Sequence, residues 1–248
     1  MASSTLKPMP KLRGARETLQ RVRTGLRELA FPHVCSICGS HIGSGAAYVC
    51  LRCRATLTTL DLHTLAENEI TDRFWARLPV ARGAALLPYR KGTPAEKVMQ
   101  ALKYDNRPDI GLSLGAWLGM LLAGSVVFGE VDAIIPVPLH PQRQRMRGYN
   151  QAERIGAGLS RTLDAPCLDE AVRRTRHTQS QTTMSQFERM QNMEGVFELA
   201  NARSLRGRHV LLVDDVLTTG ATLEAVGREV LKAEPASIKI ATLALARK

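Results

Sequence analysis

Aromatic residues are scarce in this chain: Phe, Trp and Tyr make up 4% of its 248 residues. A surface built of aromatic platforms for stacking single-stranded bases is therefore not expected. No stretch approaches the roughly 18 consecutive apolar residues of a spanning helix, so an integral membrane protein is not expected. Residues 1–10 lack the apolar core, about 7–15 residues long, of a secretory leader, which points to a cytoplasmic protein. Internal repeats and low-complexity tracts are missing as well. Acidic residues are under-represented, with 23 Asp+Glu against 34 Lys+Arg and a formal net charge of +11. The apolar share of 44% and charged share of 23% are ordinary for a globular chain. That rules out wholesale disorder and leaves enough apolar material for a buried core.

The excess positive charge is concentrated in two places. Residues 1–30 carry seven Lys/Arg against two acids, and residues 141–190 carry nine Arg against five acids. Such blocks are sites for anions (nucleic acid, phosphates, an acidic surface) or simply solvated faces. In the first block Leu19, Val22, Leu26 and Leu29 recur at helical spacing beside Arg21, Arg23 and Arg27, so a basic amphipathic helix is expected over residues 1–30. An acid-poor, Arg-rich start is also compatible with an organellar transit peptide.

Four of the five cysteines form two C-x-x-C pairs, Cys35 with Cys38 and Cys50 with Cys53, separated by eleven residues. Each pair turns two thiolates toward one point. Two pairs supply four sulfurs at tetrahedral angles, a closed set suited to a structural zinc ion. Two disulfides or a redox dithiol compete with this reading, but structural disulfides fit poorly with a reducing compartment. His33 and His41 lie near enough to substitute as ligands. Cys167 stands apart and reads as a small buried hydrophobe.

The densest chemical pattern comes late. Residues 209–213 form an apolar run typical of a buried parallel strand. It leads into Asp214 and Asp215, then Val216, Leu217, Thr218, Thr219, Gly220, Ala221 and Thr222. From Thr222 onward Leu223, Val226, Val230 and Leu231 keep helical spacing, and residues 237–245 alternate toward a final strand. A strand, a polar turn and a helix start place the Thr/Gly segment at a helix N-terminus, where unpaired amides and the helix dipole attract phosphate. Gly220 permits close approach, and Thr218, Thr219 and Thr222 add hydroxyl donors. The two carboxylates suit vicinal sugar hydroxyls, directly or through a divalent ion. No Lys follows Gly220, which excludes a Walker loop, and G-x-G-x-x-G is missing. Only 33 residues follow Asp215, too few for the further βα units of a phospho-acceptor receiver.

Residues 213–222 resemble the phosphoribosyl pyrophosphate signature of type I phosphoribosyltransferases. Other stretches are similar to one branch of them: Leu102-Lys103-Tyr104, the run from Ile135 to His140 with Arg145 and Arg147-Gly148-Tyr149-Asn150-Gln151, and Arg176-His177-Thr178 with Gln181, Arg189 and Asn192. With the cysteine pairs, this layout resembles ComF-type competence proteins from about residue 29 onward.

The resemblance implies a type I phosphoribosyltransferase-like three-layer α/β fold with a mostly parallel sheet, preceded by a small zinc ribbon-like module. The expected division is an extension over residues 1–30, the zinc module over 31–60 and the phosphoribosyltransferase-like domain over 80–248. Asp214, Asp215, Thr218, Thr219, Gly220, Ala221 and Thr222 are implied to hold phosphoribosyl pyrophosphate or a related 5-phosphoribosyl ligand. A loop over residues 139–147 after a strand at 132–138 is implied to hold pyrophosphate through His140, Arg143, Arg145 and Arg147. Arg176, Thr178 and Gln181 fall in the family's mobile lid, and Lys103 is a candidate for the same cleft. Mg²⁺ would bridge the diphosphate and ribose oxygens, and zinc would be structural on Cys35, Cys38, Cys50 and Cys53. No residue is marked as a general base, and no hood for a nitrogen acceptor is identifiable, so catalysis stays open. Two readings follow: a phosphosugar-binding protein associated with DNA uptake, with or without transferase activity, or a non-catalytic accessory module that holds single-stranded DNA through the zinc ribbon and basic blocks.

Overall fold

The computed structural model describes residues 34–42, 49–175 and 195–247. The expected helix in residues 1–30 and the implied lid residues Arg176, Thr178 and Gln181 lie outside these. The described elements are α1 (Leu51–Thr56), a 3-10 turn (Leu62–Thr64), α2 (Glu69–Phe74), β1 (Val80–Tyr89), α3 (Pro94–Tyr104) and α4 (Pro108–Ala123). They continue as β2 (Ala133–Pro136), α5 (Pro141–Arg147), α6 (Gln151–Leu163), β3 (Val172–Arg174), β4 (Phe197–Leu199), β5 (His209–Leu217), α7 (Ala221–Leu231) and β6 (Ser237–Ala246).

Four strands form a wholly parallel sheet in the order β1-β6-β5-β2, and β3 pairs with β4 as a small antiparallel ribbon. Parallel strands must be covered on both faces because their crossovers lie there. Here α3, α4 and α6 cover one face, with Met99, Leu118, Ile155 and Leu159 meeting Leu211 and Val213. On the other, α2, α7 and the β3–β4 ribbon bring Phe74, Val226 and Phe197 against Val210 and Leu212. The result is three layers.

Local sequence starts each helix. Asn68 caps α2 reciprocally with Thr71, and Pro94 and Pro108 open α3 and α4 where a missing N–H costs nothing. The α4–α6 contact is unusually close. A Cβ on Gly158 would lie 2.3 Å from the Leu112 carbonyl oxygen, and one on Gly115 2.2 Å from that of Ile155. Glycine at both positions is what lets the two backbones approach. Along α6, accordingly, Gly156 and Gly158 are buried with Ile155 and Leu159, while Ala157 is half-buried.

β6 departs from its expected alternation. It is a central strand, buried at every position from Ile238 to Leu245, because helices cover both faces. Lys239 is accommodated by bending its amine out to the Glu130 carbonyl beside the Phe128 ring.

The cysteine segment shares the main core. Cys35, Ile42, Val49 and Cys53 belong to the same apolar cluster as α3 and α4. Arg54 lies 4.4 Å from the centroid of the Trp117 ring on α4, and Arg107 donates to the Val34 carbonyl at 3.1 Å. Residues 60–78 also pack onto the sheet, through Leu60, Leu62, Ile70, Phe74 and Leu78.

Candidate functional site

Strands β2 and β5 are neighbours, yet the chain leaves β2 for α6 on one face and leaves β5 for α7 on the other. Such a divergence opens a crevice at the carboxyl ends of adjacent parallel strands, the place where open α/β sheets hold ligands. The acidic pair stands at its edge. Asp214 and Asp215 lie within β5 rather than in the turn after it, and the helix starts at Ala221. Successive strand residues face opposite sides of a sheet. Asp215 is met by Lys103, from the end of α3, at 3.0 Å. The charge of Asp214 is felt by Arg174 on β3, which also feels Arg143.

The electrostatics of the pair are lopsided. Burial, then the neighbouring Asp215 charge, push the Asp214 carboxyl up from 3.8 to about 7. The Asp215 amide, donating to it at 2.8 Å, and the charges of Lys103 and Arg147 oppose that rise. The carboxylates offer hard oxygen donors of the kind Mg²⁺ takes, with Asp215 already paired to Lys103 and Asp214 on the other side of the strand.

Beyond β5 the Thr/Gly segment is accessible in part, with Gly220 and Ala221 buried. Thr218 is exposed, Thr219 and Thr222 are half-buried, and Gly220 caps α7 with no side-chain bond. Gly220 has φ +84, and a Cβ there would lie 2.8 Å from the Phe74 ring. Both conditions demand glycine. Arg73 donates to the Thr218 carbonyl and, at 2.6 Å, to that of Ala246, so α2 ties down both strand ends. Behind the loop the buried Glu224 accepts from Arg77 at 3.0 Å and from Arg228 at 2.8 Å.

The expected pyrophosphate loop is a helix over most of its length. Pro141 opens α5 and His140 caps it, its Nδ1 accepting from the Gln142 amide at 3.2 Å. The strand before it spans only Ala133–Pro136. This changes the arginines. At 100° per residue, Arg143 and Arg147 share a face and Arg145 points away. Arg147 lies within electrostatic reach of Asp214, and Arg143 of Arg174. Arg145 is exposed, and no described contact joins it to the acidic pair.

The residues after α5 brace the crevice rather than line it. Asn150 is buried, caps α6 through the Ala152 amide at 3.0 Å and donates to the Val137 carbonyl at 3.1 Å. Tyr149 donates its hydroxyl to the Leu102 carbonyl, pinning the end of α3 that carries Lys103. Arg73 and Phe74 are contributors that sequence reasoning missed. The i, i+4 repeat of Arg73 and Arg77 was a signal of a one-sided helix but pointed to no partner.

The second site is the sulfur cluster. The Sγ atoms of Cys35, Cys38, Cys50 and Cys53 all lie within 4.8 Å of one another, with Cys38 and Cys50 at 3.8 Å. A tetrahedral ion with metal–sulfur bonds of about 2.3 Å needs sulfurs separated by about 3.8 Å. The four cysteines can therefore hold a metal ion. Their proton affinities diverge: hydrogen bonds from Ser40 bring the Cys38 thiol down to about 6, while burial and the neighbouring sulfurs push Cys53 up to about 12. Cys167 is half-buried rather than buried, in the strip beside Ile134, and burial raises its thiol to about 12. It is unreactive by that measure.

No described helix is long and apolar enough to cross a membrane. Residues 150–248 match the family model described as phosphoribosyl transferase domain. The chain is 37% identical over 157 residues to "Competence protein F" of Haemophilus influenzae, covering 62% of this chain and 69% of that one. It is 30% identical over 224 residues to "DNA utilization protein YhgH" of Escherichia coli K12, covering 86% of this chain and 96% of the relative. Among solved structures, an allosteric regulatory enzyme of purine biosynthesis matches at 18% identity, with a TM-score of 0.39, over 58% of this chain and 30% of its own.

Proposed function

The chain belongs to the ComF-type competence family, whose members carry a phosphoribosyltransferase-like domain, and from that premise we propose that it binds phosphoribosyl pyrophosphate or a related 5-phosphoribosyl ligand with Mg²⁺. Its role would be in competence or DNA utilization, the words its relatives' names carry, and its proposed place is the cytoplasm. The observation that carries this reading is the convergence at one crevice of the acidic pair, the Thr/Gly helix start and the cations Lys103, Arg143, Arg147 and Arg174.

In this reading Thr218, Thr219, Gly220, Ala221 and Thr222 hold the 5-phosphate through hydroxyls and the first amides of α7. Asp214 and Asp215 hold the ribose 2- and 3-hydroxyls. Arg143 and Arg147, on one face of α5, hold the diphosphate, with His140 at the start of that helix; Arg176, Thr178 and Gln181, outside the described residues, are further candidates. Asp214 and Asp215 would hold Mg²⁺ together with the ligand, and the ion would supply Lewis acidity there. If transfer occurs, a nucleophile forms a bond to ribose C1 as the C1–O bond to pyrophosphate breaks, and the arginines take up the charge on the leaving group. Cys35, Cys38, Cys50 and Cys53 would hold a structural zinc, joining the two cysteine pairs that pack in the same cluster as α3 and α4. The domain plan is an extension (1–30), a zinc module (31–60) and the phosphoribosyltransferase-like unit (80–248). The zinc module now has a physical tie to the rest through Arg54 and Trp117.

Isothermal titration of the full chain with phosphoribosyl pyrophosphate and Mg²⁺ tests the proposal. Micromolar binding that disappears in Asp214→Asn/Asp215→Asn supports it. Release of pyrophosphate with a panel of nitrogen acceptors then separates enzyme from sensor. No binding by the wild-type chain, alongside salt-sensitive binding of single-stranded DNA, would favour the accessory-module reading.

A further inference from the structure

Helix α4 departs from the pattern of a surface helix. Asp109 is its only charged residue, and from Ile110 to Ala123 every residue but Ser113 is apolar. One side is packed, with Leu114, Leu118 and Leu122 buried beside Gly111, Gly115 and Gly119. At 100° per residue the other side carries Leu112, Ala116, Met120 and Ala123, with Ser113 and Trp117 next to them. Met120 is 54% exposed, Ala123 is exposed, and Leu112, Ala116 and Trp117 are half-buried. An outward face normally carries charge, and a helix apolar on all sides is one that something covers. Two helices flank this face: Arg54 of α1 lies 4.4 Å from the Trp117 centroid, and Gly119 backs onto Thr162 of α6.

We propose that the outer face of α4 is the seat of this chain's own residues 19–29, which lie outside the described ones and whose stripe of Leu19, Val22, Leu26 and Leu29 runs antiparallel along it. The tether selects this occupant. Val34, the first described residue, is fixed at the start of α4, where its carbonyl accepts from Arg107, the residue before Pro108, at 3.1 Å. Val34 follows Leu29 by five positions, a reach of at most about 17 Å, so the stripe stays at this end of α4. The lengths agree: a helix from Leu19 to Leu29 covers about 15 Å, and Leu112 to Ala123 covers about 16 Å. The polarity agrees as well. Starting near Leu112, the segment brings Arg21 and Arg23 to the last turn of α4, which has no basic residue of its own and whose free carbonyls favour cations. A second copy fits less well. The face is about 16 Å long and one helix, about 10 Å, wide, far short of the roughly 800 Å² that each partner of a stable dimer buries. A tethered segment needs no such area, because a short linker holds it at an effective concentration of about millimolar. Whether a phosphosugar binds at Asp214 has no bearing on this seat.

Trp75 and Trp117 are the two tryptophans of the chain, and Trp75 is exposed, so Trp75→Phe leaves Trp117 to report on the face in the full chain. In that background Leu26→Glu, on the stripe, and Met120→Glu, on α4, should each shift Trp117 emission to the red and increase its quenching by acrylamide. Thr24→Glu, on the opposite side of the segment, should change neither. Hydrogen exchange of the wild-type chain reads the same contact without a variant. Amides of residues 19–29 should exchange about tenfold or more slowly than in a free peptide of residues 12–33. Trp117 emission that ignores Leu26→Glu, or exchange as fast in the chain as in the peptide, overturns the proposal. So does a wild-type dimer that Met120→Glu splits into monomers, because the face then belongs to a second copy.

Discussion

Four cysteines within residues 35–53 supply every ligand atom of the sulfur cluster, whereas the acidic crevice draws its charged groups from α3, α5, β3 and β5, residues up to 112 positions apart in the Lys103–Asp215 contact. The sulfur cluster closes on itself: its donors face one another and leave no direction for a substrate. The acidic site is framed by packing elsewhere, in the α4–α6 contact and in the bonds of Tyr149, Asn150 and Arg73. A site that an ion can assemble needs only local spacing. A site that must receive and release a ligand needs a scaffold that stays put when empty. The two should therefore fail in different ways.

The largest effect expected on that contrast is loss of the metal. Cys35→Ser, or a strong chelator, should take bound zinc from one per chain to near none by elemental analysis. Structural zinc contributes on the order of 10 kcal/mol to small modules, and Cys35 and Cys53 lie in the same core as α3 and α4. The loss should then reach the whole chain as a drop of many degrees in Tm. If the rest melts unchanged, the shared core is not cooperative and the comparison breaks. Asp214→Asn/Asp215→Asn should do the reverse. Zinc content should hold and Tm should not fall, while phosphoribosyl pyrophosphate affinity falls about 100-fold or more, given about 1.5–3 kcal/mol for each charged hydrogen bond.

Proton concentration acts on the crevice next. The Asp214 carboxyl is raised from 3.8 to about 7, so folding takes up a proton between those values. Its contribution to stability is whole below about 3.8 and is lost as pH rises through about 7. Asp214→Asn should remove that decline, read as the denaturant midpoint at pH 5 and pH 8. Mg²⁺-dependent ligand binding should run the opposite way, strengthening as the pH passes 7 and the carboxylate forms. Lys103→Met should move this dependence to higher pH, since Lys103 is one of the charges holding Asp214 down. Gly220→Ala sharpens the scaffold side of the contrast. The left-handed backbone costs a Cβ about 1–2 kcal/mol, and contact with Phe74 adds to it. A Tm loss of several degrees with zinc retained is expected.

The sequence made the two sites legible to different depths. Cysteine spacing is a direct record of geometry, because two turns fix two sulfurs each, and the four Sγ atoms do lie together. The β5–turn–α7 segment was readable for the same reason: apolar run, carboxylates and glycine are contiguous. Of the parallel sheet only β5 was readable as an apolar run, and the mostly parallel order came from the family resemblance. Contacts between remote elements left no such record. Nothing in the spacing of Arg73 announces the Thr218 and Ala246 carbonyls, and nothing around Arg174 announces Asp214. The alternation expected of β6 misled because periodicity reports how polar a residue is, whereas burial depends on which helices arrive to cover the strand. Asn150 and Tyr149 were legible as a motif, but their work is to brace α6 and α3, a role visible only once Val137 and Leu102 are adjacent.

The smallest effect is the most discriminating for the crevice, because it turns on secondary structure alone. In an extended loop, alternate residues face the same way, and Arg143, Arg145 and Arg147 would all reach a diphosphate. In the helix from Pro141 to Arg147 the spacing of four aligns Arg143 with Arg147 and sends Arg145 to the opposite side. Arg147→Ala should weaken phosphoribosyl pyrophosphate binding about tenfold or more, as expected for a charged hydrogen-bond donor. Arg143→Ala should weaken it comparably, and Arg145→Ala should change it by less than about twofold. Ribose 5-phosphate, which carries no diphosphate, should be indifferent to Arg143→Ala. Equal losses at all three positions with the diphosphate ligand would mean that α5 unwinds when the ligand arrives. The pyrophosphate site would then be made on binding, and only the acidic pair and the Thr/Gly segment would be preformed.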